Sequence, residues 1–175
     1  VTKSLTFANF ELSAPDIARF VRARFETTGL SIMATLRADG SPRLSPIEPS
    51  ILQGQLYVGM MPGSMKARDL QRDGRVALLT TLSDKLDMSG EGKLFGEAVE
   101  LTDPDDIHRV LSAAAAGTDY EAEAFAGSHV FEVGITGAAW QHVEGDTWVT
   151  VSWRVGGPVR RRQRQGPTGS PVDVG

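Results

Sequence analysis

The stretch LYVGMMPGSMKARDLQRDGRVALL, residues 56–79, organises the reading of this 175-residue chain. An apolar, strand-like run over 56–60 stops at Pro62-Gly63. Ser64 follows as a helix N-cap, and a short basic helix runs through Lys66 and Arg68 to Leu70. A second apolar run opens at Val76. Strand, glycine turn, hydroxyl cap and basic first turn together make an anion site. Free backbone N–H groups point out of the helix start, its dipole end is positive, and Lys66 adds a full charge. A phosphate is the natural occupant. The same residues also read as an ordinary capped helix with a solvated basic face, because serine caps and surface lysines are common.

Upstream, Ser13-Ala14-Pro15-Asp16 has the form of a capping box. Ile17, Phe20, Val21 and Phe25 then recur at helical spacing up to Gly29. A strand over 31–37 meets a hairpin turn at Ala38-Asp39-Gly40. Residues 42–52 form a second extended run broken by Pro46 and Pro49, so this strand is bulged or lies at an edge. Gln53-Gly54 turns the chain into the strand over 56–60. Downstream the pattern predicts a strand over 76–83, a loop over 84–91 and a strand over 93–101. An acidic-started helix opened by Thr102-Asp103-Pro104-Asp105-Asp106 runs through Ile107, Val110 and Leu111 to Gly117, with a second short helix over 120–125. Strands over 130–136, 138–143 and 148–155 form a closing meander, with a hairpin at Glu144-Gly145-Asp146.

These are six or seven strands, largely antiparallel, with short helices in the gaps. The pattern suits a barrel better than a doubly wound sheet. Residues 1–156 read as one domain. Residues 157–175 read as a flexible tail, first basic and then rich in Gly, Pro and Ser. Arg160, Arg161, Arg162 and Arg164 in it suit a solvated or subunit-bridging stretch better than a nucleic-acid arm.

Composition narrows the function. A hydrophobic share of 41% and a charged share of 23% are those of a soluble globular protein. A net charge of -4 argues against nucleic acid as the partner. There is no cysteine, hence no thiolate nucleophile or disulfide framework. His108, His129 and His142 lack zinc-site spacing, so no metal site is expected. No lipase-type elbow, Walker loop or Rossmann fingerprint occurs. With no secretory leader or long apolar span in view, no membrane partner is expected and the cytoplasm is the expected location.

Three segments in this order resemble the pyridoxamine 5'-phosphate oxidase-like family of flavin-binding split β-barrels, which also holds deazaflavin-dependent reductases. The first is ATLRADGSPRLSPI over 34–47, and the second is GSMKARDL followed by DGRVAL. The third is LFGEAVEL over 94–101, and the SWR at 152–154 is similar to the closing strand of many members. The resemblance implies a mainly β, α+β fold, an antiparallel six- to seven-stranded split β-barrel. It implies flavin mononucleotide as cofactor, with 8-hydroxy-5-deazaflavin coenzyme as the alternative, and hydride transfer with a small-molecule substrate. A non-catalytic flavin- or haem-binding carrier is the reading from a different class.

The resemblance also implies roles. The cofactor phosphate lies at the helix start formed by Ser64, Met65 and Lys66, and Arg43 reaches it or a second anion. The ring edge lies along the backbone of Leu44, Ser45, Pro46 and Ile47, with Gly59 and Met60 close by. Thr80 and Thr81 face a neighbouring chain's cofactor. The flavin does the hydride chemistry, so no catalytic side chain is assigned. Val76 and the apolar residues after it suit a homodimer with the cofactor at the interface. Three departures stand out. Met65 replaces the arginine of many members and Asp69 the common asparagine. Ser45 and Ser50 stand where pyridoxamine phosphate oxidases carry basic residues, which argues against that vitamin as substrate. Trp153 and Trp148, five apart in a strand, are expected on opposite faces, and Trp140 in the core. His129 and His142 are read as polar strand positions rather than haem ligands.

Overall fold

Residues 3–81, 84, 87–116 and 125–174 are described by the structure, a computed structural model. Two helices lead. α1 (Phe7–Ser13) is capped by Thr6, whose Oγ1 accepts from the Asn9 amide at 3.1 Å. α2 (Pro15–Thr28) follows after the single residue Ala14 and ends at Gly29, whose φ of 66° is the left-handed conformation of a helix C-cap. The capping box expected at Ser13 does not form. Because α1 runs up to residue 13, Ser13 belongs to the helix before, and its Oγ donates to the Asn9 carbonyl at 2.8 Å. Asp16 pairs with Arg19 instead, at 2.6 Å. Phe7 and Phe10 of α1 and Ile17, Val21 and Phe25 of α2 are buried against the sheet.

The strands are β1 (Ser31–Leu36), β2 (Pro42–Ile47), β3 (Pro49–Leu52), β4 (Gln55–Met60), β5 (Arg75–Thr80), β6 (Glu91–Glu100), β7 (His129–Glu144), β8 (Thr147–Arg154), β9 (Arg160–Gln165) and β10 (Val172–Asp173). α3 (Met65–Arg72) joins β4 to β5, and α4 (Pro104–Ala115) follows β6. All pairings among the described residues are antiparallel. The order is β10-β9-β8-β7-β6-β5-β1-β2, while β4 pairs with β3 and with β7. The sheet is a split barrel that does not close, and among the described residues β2 is paired on one side only, which leaves its other edge free. The extended run over 42–52 divides at Glu48, so that one proline-bearing piece pairs with β1 and the other with β4. Prolines are tolerable there because an edge strand has an unused side.

The predicted meander has one strand fewer at its start. β7 runs 16 residues through Gly137 without a turn, because β6 pairs alongside it on both sides of a bulge at Phe95/Gly96. The tail differs more. Residues 160–165 form β9 on β8, and 172–173 form β10 on β9. This strand has no apolar pattern to betray it. Edge pairing holds it, and three of its four arginines have partners: Arg161 with Glu144 at 2.8 Å, Arg162 with Asp173 at 2.6 Å, and Arg164 over the Trp148 ring. The expected second helix over 120–125 falls mostly on residues outside the described ones, as do Leu82 and Ser83 of the strand expected over 76–83.

The main core lies between the two leading helices and the inner sheet face, and includes Met33, Leu56, Leu94, Ile135 and Trp153. Trp153 is buried and Trp148 exposed, as their spacing implied. Trp140 is half-buried, packed against the core and stacked between Phe20 and His142. A smaller cluster joins α4 to β4 and β7 through Val110, Leu111, Tyr57 and Val130.

Candidate functional site

α3 begins where β4 leaves the sheet. The Ser64 amide donates to the Met61 carbonyl at 3.2 Å, closing the Pro62-Gly63 turn. Gly63 has φ 69°, a backbone position that favours glycine. Ser64 Oγ accepts from the Ala67 amide at 3.4 Å, and the Ser64 carbonyl accepts from Arg68 at 3.2 Å. The Met65 and Lys66 amides, first and second in the helix, have no intrahelical acceptor. They and the positive helix end lie together at the start of α3.

Lys66 reaches from this helix start to β2. Its Nζ donates to the Pro46 carbonyl at 2.8 Å. Burial pulls the ammonium's pKa below its ordinary value, against the opposing pull of Glu48. Among the described residues Lys66 has no salt bridge, so its charge is incompletely compensated.

The bond to Pro46 also orients β2. Pro46 has no N–H, and its carbonyl turns toward Lys66 at the free edge. Backbone groups alternate sides along an antiparallel strand, so Leu44 presents its N–H and C=O at that edge as well. The expected ring-contact stretch therefore resolves into two sets. Leu44 and Pro46 face the open edge. Arg43, Ser45 and Ile47 turn their backbones to β1, and the Ile47 side chain is in the core.

Arg43 is committed elsewhere. Its Nε donates to Asp69 Oδ2 at 2.6 Å. Thr35 Oγ1 donates to the same oxygen at 2.9 Å, and Arg72 donates to Asp69 Oδ1 at 3.4 Å and to the Leu36 carbonyl. Burial alone would raise the Asp69 pKa. The bonds from Arg43 and Thr35 and the charge of Arg43 outweigh it and hold the carboxyl below its ordinary value. Asp69 thus clips α3 to β1 and β2 and draws charge away from the helix start.

Gly59 is exposed on β4, where an added Cβ would meet nothing within 4 Å, and Met60 is buried beside it. A cavity of about 410 Å³ opens next to them, walled by Tyr57, Val110, Leu111 and Ala114, with Glu48 and Ser50 among its polar lining. Leu44, Met61 and Met65 are all exposed around the helix start. Thr80 does not face outward. It is buried, and its Oγ1 accepts from the Gly92 amide at 2.9 Å; Thr81 donates to the Leu30 carbonyl at 3.3 Å.

One neighbour carries no local signal in the sequence. His129, the first residue of β7, accepts the Gly63 amide on Nε2 at 3.2 Å. Its Nδ1 lies 2.6 Å from Glu100 Oε1, and Gln71 donates to Glu100 Oε2 at 2.9 Å. His142 is buried, with Nε2 on Glu144 at 2.9 Å and Nδ1 without a partner. Among the described residues no three acidic, histidine or cysteine side chains cluster as a metal site. Nor, among the described residues, is any helix long and apolar enough to cross a membrane.

The antiparallel strand order with α3 between β4 and β5 is the fold that the resemblance implied, and comparison with known proteins agrees on that fold. The model of the family described as pyridoxamine 5'-phosphate oxidase matches residues 17–142. The chain belongs to this family. No curated protein matches it. Among solved structures, the conserved hypothetical protein Rv2991 of Mycobacterium tuberculosis is 22% identical with a TM-score of 0.58, over 81% of this chain and 84% of that one. ChuZ of Campylobacter jejuni is 13% identical with a TM-score of 0.66, over 91% and 66%. HutZ of Vibrio cholerae, a heme storage protein, is 13% identical with a TM-score of 0.57, over 70% and 89%. At these identities the likeness is one of fold.

Proposed function

We propose that this family member binds flavin mononucleotide and is an oxidoreductase acting on a small molecule. The observation that carries the reading is the Lys66–Pro46 bond of 2.8 Å, which sets an incompletely compensated ammonium between the α3 helix start and the free edge of β2. The donor set fits the cofactor. Ser64, the Met65 and Lys66 amides and Lys66 Nζ suit a phosphate monoester. The Leu44 N–H and C=O and the Pro46 carbonyl suit a ring edge that carries both donors and acceptors. Bound flavin supplies hydride chemistry. The chain's own part is to hold the phosphate, align the ring edge and offer the apolar cavity beside Gly59 to a substrate. The same donors would take the phosphate of the deazaflavin coenzyme. Exposed Leu44, Met61 and Met65 around the site support a homodimer with the cofactor at its interface.

A haem-carrying role is the second reading, favoured by the likeness to HutZ. Its difficulty is an axial ligand. Both nitrogens of His129 are engaged, and His142 is buried with its outer nitrogen on Glu144. Titration of the purified protein with flavin mononucleotide, riboflavin, deazaflavin coenzyme and haem separates these readings. Flavin mononucleotide is expected to bind, with its band at about 450 nm. In Lys66→Ala the phosphorylated ligand loses roughly 1–3 kcal/mol and riboflavin much less. Haem binding with no flavin binding defeats the reading.

A further inference from the structure

The Gly63 amide can only donate, so the nitrogen facing it, His129 Nε2, is the unprotonated one. The ring is then neutral, with its proton on Nδ1 and directed to Glu100 at 2.6 Å. Glu100 on β6 is in turn held by Gln71 of α3 at 2.9 Å. Carboxylate, imidazole and turn amide form one chain of bonds behind the helix start, and it crosses from β6 through β7 to the Pro62-Gly63 turn. Among the described residues Glu100 is the charged side chain in contact with the ring. α3 contributes the neutral Gln71, 3.5 Å from Nδ1, and β4 contributes Met60 as the register partner of His129.

We infer that His129 is a positioning residue for the phosphate turn, and that it works only while its ring is neutral. This rests on the reading of the α3 start as the cofactor's phosphate site. A second proton has to go to Nε2. It would remove the acceptor that the Gly63 amide has among the described residues and set N–H against N–H. Glu100 offsets the new charge, so the main effect at the turn is the lost bond and not a gained cation. The turn loosens, and Ser64 and the free amides lose their fixed aim. Acid therefore weakens the grip on the phosphate specifically, and leaves the strand edge at Leu44 untouched.

Calorimetric titration of flavin mononucleotide and riboflavin, at about pH 8 and about pH 5, tests this. The quantity read is the ratio of their affinities. The ligand's own phosphate titrates with a pKa of about 6, so a non-titrating variant supplies the baseline. In His129→Gln the amide oxygen still reaches Gly63, and the ratio should match wild type at high pH. At low pH wild type should fall about fivefold below that variant, the size of one lost hydrogen bond. His129→Leu should show the reduced ratio at both pH values. If wild type and His129→Gln keep the same ratio at both pH values, the inference is overturned and the phosphate site stands. If wild type binds both ligands equally at high pH, the phosphate site itself is wrong.

Discussion

Arg43 donates from Nε to Asp69 Oδ2 at 2.6 Å, joining a guanidinium at the rim of the site to a carboxylate buried beneath it. The carboxylate gathers Arg43, Arg72 and Thr35 into one clip between α3 and the β1–β2 hairpin. Asp69→Asn removes its charge but keeps its shape. Since Arg43 and Arg72 can turn to water, we expect a loss of about 1–3 kcal/mol of folding stability in denaturant titration. Flavin mononucleotide affinity should rise, because a negative charge one turn from the helix start is gone and Arg43 is freed. A variant that is destabilised and also binds the cofactor less tightly would place Asp69's importance in shaping the site.

The same carboxylate sets a pH dependence. Its folded pKa lies below the ordinary 3.8, so its stabilising contribution is complete above that value and is lost as pH falls through the folded pKa. Comparing acid denaturation of wild type with Asp69→Asn isolates it. The stability difference should be constant at neutral pH and shrink below about pH 4.

Met65 is exposed at the first position of α3, where a cation could meet a phosphate directly. In Met65→Arg a charge-assisted bond of roughly 1.5–3 kcal/mol opposes a helix-dipole penalty of about 0.3–1 kcal/mol. The variant is expected to bind flavin mononucleotide about tenfold more tightly by calorimetry. Weaker binding would mean that Met65 packs on the cofactor or on a partner subunit.

Those exposed apolar side chains give the dimer its own test. Leu44, Met61 and Met65 sit on three different segments around one site. Sedimentation should give a dimer, and Leu44→Glu with Met61→Glu should shift it toward monomer. A stable monomer that binds cofactor at full affinity contradicts the proposal.

Gly90 tests a different part of the fold. Its φ is 90°, and a Cβ there would overlap the Gln141 carbonyl. Gly90→Ala should cost at least about 1–3 kcal/mol through backbone strain alone, visible as a lower Tm.

Much of this fold is written locally. Ala38-Asp39-Gly40, Gln53-Gly54 and Glu144-Gly145 mark hairpins because positive-φ positions need particular residues, and all three turns occur. The Ser64 cap was legible for the same reason. What escaped is set by partners distant in sequence. Arg43 looked free until Asp69, 26 residues on, was brought to it. His129 meets Gly63 across 66 residues, with no spacing to announce it. β9 is a strand of arginines, strand-like only because β8 offered an edge. Gly137 suggested a break and instead lies inside β7, where the Trp153 carbonyl, 3.2 Å from where a Cβ would sit, would crowd a side chain.

β7 changes neighbour along its length: β4 accompanies it through Val133, and β8 takes over at Gly137. Between them, at the buried Ile135, stands Leu5, which gives and receives a backbone bond of 2.8 Å and belongs to no strand of the sheet. The seam of the barrel is stoppered by a single residue ahead of α1. A proteolytic clip just after Leu5 would therefore act at the middle of the longest strand. It would let water in at Ile135, and the hydrogen-exchange rate of that one amide would report whether the two halves of the barrel are still sealed together.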